Sequence, residues 1–133
     1  MDNTDIDYYE GNCVCKKKGI RHFLAALGYS LCGLREMMRE TAFLHELILV
    51  FCHLIALFIM DVHFLPAFVL SSLLGVVLIV EMLNTAIESV VDMASPSFHY
   101  LAKRAKDLGS AAVFSAISLF LVGWIVVLLK GQM

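Results

Sequence analysis

The chain has 133 residues, of which 60% are hydrophobic and only 17% are charged. A typical soluble domain is about 45–50% apolar, and one this short could not cover so much apolar surface with the polar residues that remain. The composition therefore excludes an ordinary soluble domain and predicts a single domain embedded in a membrane. The formal net charge of −2 says little about partners, and we expect no nucleic acid among them.

The N-terminal region precedes the first long apolar stretch. Residues 1–15 carry four acidic residues without apolar periodicity, so they are predicted to form a flexible tail, followed by a membrane domain over residues 16–133. Within residues 19–39, apolar residues recur every three or four positions while polar ones occupy other faces, which predicts an amphipathic helix. A helix lying in the membrane interface would have this pattern, and so would a helix packed against the others.

Two apolar segments follow, and each is about long enough to cross a bilayer, which takes about 20 helical residues. The first covers residues 41–60. Asp61 and the Pro66 region give a short turn, and the second span runs from about residue 64 to residue 92.

A third span is predicted over residues 107–130, after a polar connection from 93 to 106 that Pro96 interrupts. Small residues in its first half would allow close contact with another helix, and these are Gly109, Ser110, Ala111, Ala112, Ser115 and Ala116. The predicted fold class is therefore all-α, with an amphipathic surface helix followed by three transmembrane helices.

The placement of Lys and Arg predicts the orientation of these spans. Nine of the ten precede the first span or lie between the second and third, and only Lys130 lies at the opposite end. Because basic residues favour the cytoplasmic side, the N-terminus is expected in the cytoplasm and the C-terminus outside.

One face of the second span carries polar residues near its cytoplasmic end. At about 100° per residue, Glu81, Asn84, Thr85, Glu88 and Asp92 fall within an arc of roughly 100°. Glu81 and Glu88 are separated by roughly 10 Å of helical rise, which is too far to share one proton but suits two different roles. Ionisable residues at membrane depth are candidates for function, although a proton relay or a cation pathway would use the same residues.

Other polar residues are expected at the same membrane face: Glu40 and Glu46 around the start of the first span, and Lys106 and Asp107 at the start of the third. Oxygen ligands from Glu40, Glu88 and Asp92, together with the phosphates of a nucleotide, would suit Mg²⁺. Lys106 could neutralise charge on a transferred phosphoryl group. The sequence has no Gly-rich phosphate-binding loop and no protein-kinase motif, so ATP use does not follow from motifs.

The segment from Glu81 to Asp92 (EMLNTAIESVVD) and residues 105–113 (AKDLGSAAV) closely resemble the prokaryotic integral-membrane diacylglycerol kinase family, which also includes undecaprenol kinases. The resemblance covers about residues 19–130. It implies a homotrimer of chains with one surface helix and three transmembrane helices. It also implies active sites at the cytoplasmic interface that transfer the γ-phosphoryl group of MgATP to a lipid hydroxyl.

The resemblance also implies roles for individual residues. Glu81 matches the general base, and Glu88 and Glu40 match the glutamates that hold the metal. Positions that support nucleotide and phosphate are matched by Asn84, Asp92, Lys106 and Asp107, and by Arg21 and Ser30 on the surface helix. Ser110 matches a position near the lipid substrate.

The expected function is therefore that of a diacylglycerol kinase in the bacterial inner membrane, with ATP and Mg²⁺. The run at residues 105–113 is closer to the diacylglycerol kinases than to the undecaprenol kinases, which remain the alternative within the family. From another class, a small oligomeric channel or transporter subunit would use the carboxylates for ions or protons. The lack of charge in the interior of the third span disfavours that alternative.

Overall fold

The computed structural model describes residues 20–130, with side chains from residue 24 onward, and every regular element in this range is an α-helix. The four helices are α1 (Ile20–Met37), α2 (Thr41–Ile59), α3 (Phe64–Ala94) and α4 (Tyr100–Lys130). The last three are each long and apolar enough to cross a membrane. The all-α fold with three candidate spans is thus confirmed, while the predicted tail over residues 1–15 lies outside the described residues.

The described residues divide into two compact units, one ending at Glu40 and one beginning at Thr41. In the first unit, α1 ends at Met37, two residues before the end of the predicted helix. The helix is followed by a turn in which the Arg39 guanidinium pairs with the Glu36 carboxylate at 2.9 Å. Both side chains are exposed, so this pair contributes little stability.

In the second unit, α3 packs mainly against α4, and α2 packs against α3. The core between α3 and α4 contains Leu74, Val77, Ala116 and Phe120. Few other apolar side chains are buried, and large ones such as Phe58 are fully exposed on the outside of the helices. An apolar outer surface of this extent suits lipid chains or neighbouring protein subunits.

A buried histidine connects the three helices of the second unit. His53 of α2 is only 4% exposed, and its Nε2 lies 3.1 Å from the Ser71 hydroxyl of α3. The imidazole ring also makes edge-on contacts with Phe120 and Trp124 of α4, with centroid separations of 5.4 and 5.6 Å. Apolar packing gives helices little driving force to associate in lipid, so a polar contact of this kind helps to fix α2 on α3.

The turn between α2 and α3 lies where the sequence predicts it. Asp61 has a φ of 47°, a left-handed conformation that Asp tolerates better than most residues. The Val62 N–H donates to the Leu57 carbonyl at 3.4 Å, which closes α2 in the manner of a Schellman motif. Pro66 falls in the first turn of α3, where no helical hydrogen bond is lost.

The connection between α3 and α4 is much shorter than predicted. Ser95 ends α3 just before Pro96, as the proline predicts, but α4 begins at Tyr100 and not at residue 107. The prediction was wrong because absence of charge identifies the part of a helix that suits lipid, and a helix can continue beyond it. No proline follows Pro96, and an ion pair between Lys103 and Asp107 supports the first turns of α4.

Candidate active site

The polar stripe of α3 runs from a buried end to an exposed end. Glu81 is 5% exposed and Asn84 is 9% exposed, whereas Glu88 is half-buried and Asp92 is exposed. Asn84 and Glu88 are one helical turn apart, and the Asn84 Nδ2 donates to the Glu88 Oε1 at 3.4 Å. The stripe therefore links a carboxylate inside the helix bundle to one that solvent can reach.

Helix α4 approaches this stripe most closely at Gly109. Gly109 is buried, and a Cβ built on it would overlap the Asn84 Oδ1 and lie 3.3 Å from Cγ. The predicted close helix contact through small residues is thus present at Gly109. The Asn84 Oδ1 is itself buried with no hydrogen-bond partner among the described residues.

The exposed end of the stripe pairs with the start of α4. The Lys106 Nζ lies 2.6 Å from the Asp92 Oδ1, and Lys103 pairs with Asp107 on α4 itself. All four side chains line an open cavity of about 340 Å³ that the connecting loop, residues 95–99, completes. The sequence predicted Lys106 and Asp107 at the start of the third span, but the structure places both farther inside α4.

Glu46 of α2 is a polar residue to which the sequence assigned no role. It lies near the start of α2, inside the predicted first span, and is only 6% exposed. Its charge interacts with that of Glu81, and its Oε2 has no hydrogen-bond partner among the described residues. A glutamate inside a helix apolar enough to cross a membrane is the sequence signal that points to it.

Four more predicted site residues lie on α1, in the turn after it and on α4. Glu40 is the last residue of the first unit and is exposed. Ser30 is exposed on α1, where its hydroxyl donates to the Ala26 carbonyl at 3.0 Å. Arg21 belongs to α1, but its side chain lies outside the described side chains. Ser110 is exposed on α4, beside Gly109.

The arrangement offers two chemical environments along one helix. A buried carboxylate such as Glu81 can accept a proton from a group that enters between the helices, where water is scarce and electrostatic interactions are strong. The open cavity beside Asp92 and Lys106 can bind a charged molecule that arrives from water. Among the described residues, no three His, Cys, Asp or Glu side chains form a group that could hold a metal alone.

Comparison with known proteins identifies the family. The family model for prokaryotic diacylglycerol kinase matches residues 28–128. A diacylglycerol kinase of Sinorhizobium sp. is 41% identical over 102 residues, covering 77% of this chain and 74% of that protein. The diacylglycerol kinase of Escherichia coli strain K12 is 40% identical over 111 residues, covering 83% and 91%.

A third relative agrees with these two. The diacylglycerol kinase of Pseudomonas aeruginosa is 40% identical over 112 residues, covering 84% of this chain and 91% of that protein. These matches confirm the resemblance that the segments at 81–92 and 105–113 indicate, and they favour the lipid kinase over the channel alternative. The chain belongs to the prokaryotic diacylglycerol kinase family.

Proposed function

We propose that this chain is a membrane kinase that transfers the γ-phosphoryl group of ATP to the hydroxyl of diacylglycerol, giving phosphatidic acid and ADP. The observation that carries the proposal is the graded burial of the α3 stripe, from Glu81 inside the bundle to Asp92 in an open polar cavity. The buried end suits the hydroxyl of a lipid, and the exposed end suits a nucleotide. The names of the relatives support the same activity and the same lipid.

In the proposed mechanism, Glu81 takes the proton of the lipid hydroxyl. The hydroxyl oxygen forms a bond to the γ-phosphorus, and the bond between that phosphorus and the bridging oxygen of ADP breaks. Because the phosphoryl group needs little covalent help, positioning and charge stabilisation supply most of the catalysis. Lys106 offsets the charge that develops on the transferred group.

Further polar residues bind the nucleotide in this proposal. Asp92, Lys106 and Asp107 line the open cavity, which supports a role near the phosphates. Asn84 connects this region to Glu81 along α3 and orients Glu88 through its amide. Arg21 and Ser30 of α1 are assigned to the nucleotide on family resemblance, and Ser110 to the lipid.

Glu88 would hold Mg²⁺, and Glu40 is assigned to the same metal on family resemblance. Glu88 fits a metal because it is half-buried, so a cation that arrives from water can still reach it. The hydrogen bond from Asn84 is long at 3.4 Å and leaves the carboxylate oxygens available to the cation. Mg²⁺ usually takes only one or two carboxylates and fills its other positions with phosphate oxygens and water. When bound, it would neutralise part of the charge on the phosphates.

The proposal includes a homotrimer in the inner membrane, with the N-terminus in the cytoplasm and the C-terminus outside. The exposed apolar faces of α2 to α4 support assembly within lipid, and the Lys and Arg distribution supports the orientation. Light scattering in detergent tests the trimer, because it measures the mass of the protein assembly.

Fusions after Met133 test the orientation. An alkaline phosphatase fused there is expected to be active and a fluorescent protein to be dark, and the reverse result would contradict the proposed orientation.

The test of activity uses purified protein in lipid vesicles with MgATP and either diacylglycerol or undecaprenol, followed by measurement of the phosphorylated lipid. We expect phosphatidic acid from the wild type and almost none from Glu81→Gln. Asp61→Asn makes the same carboxyl-to-amide change in the α2–α3 turn, where Asn also tolerates positive φ, and it is expected to keep activity. Phosphorylation of undecaprenol alone would contradict diacylglycerol as the substrate. Full activity of Glu81→Gln would contradict the role of Glu81 as the general base.

A further inference from the structure

Glu46 is a buried carboxyl group for which the proposed reaction has no use. It is 6% exposed, lies six residues into α2, and has an Oε2 without a hydrogen-bond partner among the described residues. Burying a carboxylate with an unsatisfied oxygen is costly, so a neutral replacement at this position would normally be favoured. A glutamate at such a position requires a reason beyond packing.

Glu81 of α3 is the functional group whose charge acts on Glu46. The two carboxyl groups lie near enough for their charges to interact, and both are more than nine-tenths buried. Two ionised carboxylates in a weakly screened site repel each other strongly. A proton held between them removes the repulsion and gives the unpartnered Oε2 of Glu46 a hydrogen-bonding role.

We propose that Glu46 is a positioning residue that, as a neutral carboxylic acid, donates a hydrogen bond to the Glu81 carboxylate and fixes its orientation for proton transfer. The inference rests on the proposed function, in which Glu81 is the base. The proton of Glu46 is not consumed. Glu81 accepts the proton of the lipid hydroxyl as the oxygen–phosphorus bond forms, and that proton passes to water after the product leaves.

A cation held between Glu46 and Glu81 is the competing explanation. The hydrogen-bond explanation and the cation explanation make opposite predictions for Glu46→Gln. An amide keeps the ability to donate a hydrogen bond to Glu81, but it removes the negative charge that a cation would need. Leucine removes both properties and is expected to fold well, because exchanging a buried carboxyl group for an apolar side chain of similar volume is often neutral or stabilising.

The experiment compares Glu46→Gln and Glu46→Leu with the wild type in lipid vesicles, with kcat and KM measured for MgATP and for diacylglycerol. We expect Glu46→Gln to keep kcat within about 3-fold and Glu46→Leu to lose about 10- to 100-fold in kcat, as for a misplaced catalytic group. The KM for MgATP should stay unchanged in both. Wild-type kcat in Glu46→Leu, or an equal loss in both variants, would overturn the proposal.

Glu81→Gln separates this inference from the proposed function. If Glu46 acts only through Glu81, adding Glu46→Leu to Glu81→Gln should cause no further loss, whereas independent roles would multiply the two losses. Full activity of Glu81→Gln would overturn the base assignment and the inference with it. An inactive Glu81→Gln beside a fully active Glu46→Leu would overturn the inference alone.

Discussion

Gly109 of α4 lies so close to Asn84 of α3 that a Cβ on the glycine would overlap the amide oxygen of the asparagine. The same amide donates to Glu88, so the crossing of the two helices is coupled to the position of a proposed metal ligand. A side chain at position 109 must push Asn84 or the whole of α4 away. The spacing of α3 and α4 is thus set at the candidate site itself.

We therefore expect Gly109→Ala to damage both stability and activity. Overpacking of this kind costs about 1–3 kcal/mol of unfolding free energy, and displacement of Asn84 should lower kcat on the order of 10-fold or more. Thermal unfolding and kinase assays in the same detergent measure the two effects. Gly75→Ala is the matched control, because a Cβ at Gly75 of α3 meets no atom within 4 Å, and equal behaviour of the two variants would contradict the prediction.

The contact between His53 and Ser71 is expected to stabilise the packing of α2 on α3. Removing either side chain leaves the other polar group in an apolar region, and the coupling energy of the pair should be about 0.6 kcal/mol and at most about 1.7 kcal/mol. A double-mutant cycle of His53→Ala and Ser71→Ala, followed by unfolding in mixed micelles, gives this value. Ser72→Ala is the control, because the Ser72 hydroxyl donates to the Phe68 carbonyl within α3. No coupling within error would show that the 3.1 Å contact contributes nothing.

Much of the architecture could be predicted because membrane crossing imposes a length and an apolar composition on each helix. Residues 64–92 were predicted as the second span, and α3 runs from Phe64 to Ala94. The close contact at Gly109 was also predictable, because small residues are the ones that let helices approach in lipid. Pro96 gave the end of α3 for a stereochemical reason that does not depend on the rest of the fold.

The contacts between helices could not be predicted in the same way. They depend on how each helix is rotated about its axis, and that rotation cannot be read directly from a single sequence. Lys106 and Asp92 were both proposed as site residues. Their ion pair could not be predicted, because it depends on how α4 packs on α3. Glu46 received no role for the same reason, because its proximity to Glu81 depends on the packing of α2.

Lys106→Met is expected to remove activity without unfolding the protein. The ion pair with Asp92 is partly exposed, so its loss should cost at most about 1 kcal/mol of stability. Loss of a group that stabilises developing charge should instead lower kcat on the order of 100- to 1,000-fold. Lys130→Met at the far end of α4 is the control and should keep wild-type kcat. A change in thermal stability that matches the loss of activity would point to a structural role for Lys106.

Mg²⁺ is expected to be required, and Glu88 to determine how much is needed. Chelation with EDTA should abolish phosphorylation of diacylglycerol, and added Mg²⁺ should restore it. Glu88→Gln keeps the size of the side chain but removes the charge that attracts the cation. Loss of a group that only supports a metal ligand weakens binding about 10- to 100-fold, so the Mg²⁺ concentration for half-maximal activity should rise by at least that range. Titrations of Mg²⁺ at fixed ATP measure this shift, with Asp61→Asn as the control for loss of a distant carboxylate. An unchanged Mg²⁺ requirement in a folded but slow Glu88→Gln variant would assign Glu88 to the nucleotide and not to the metal.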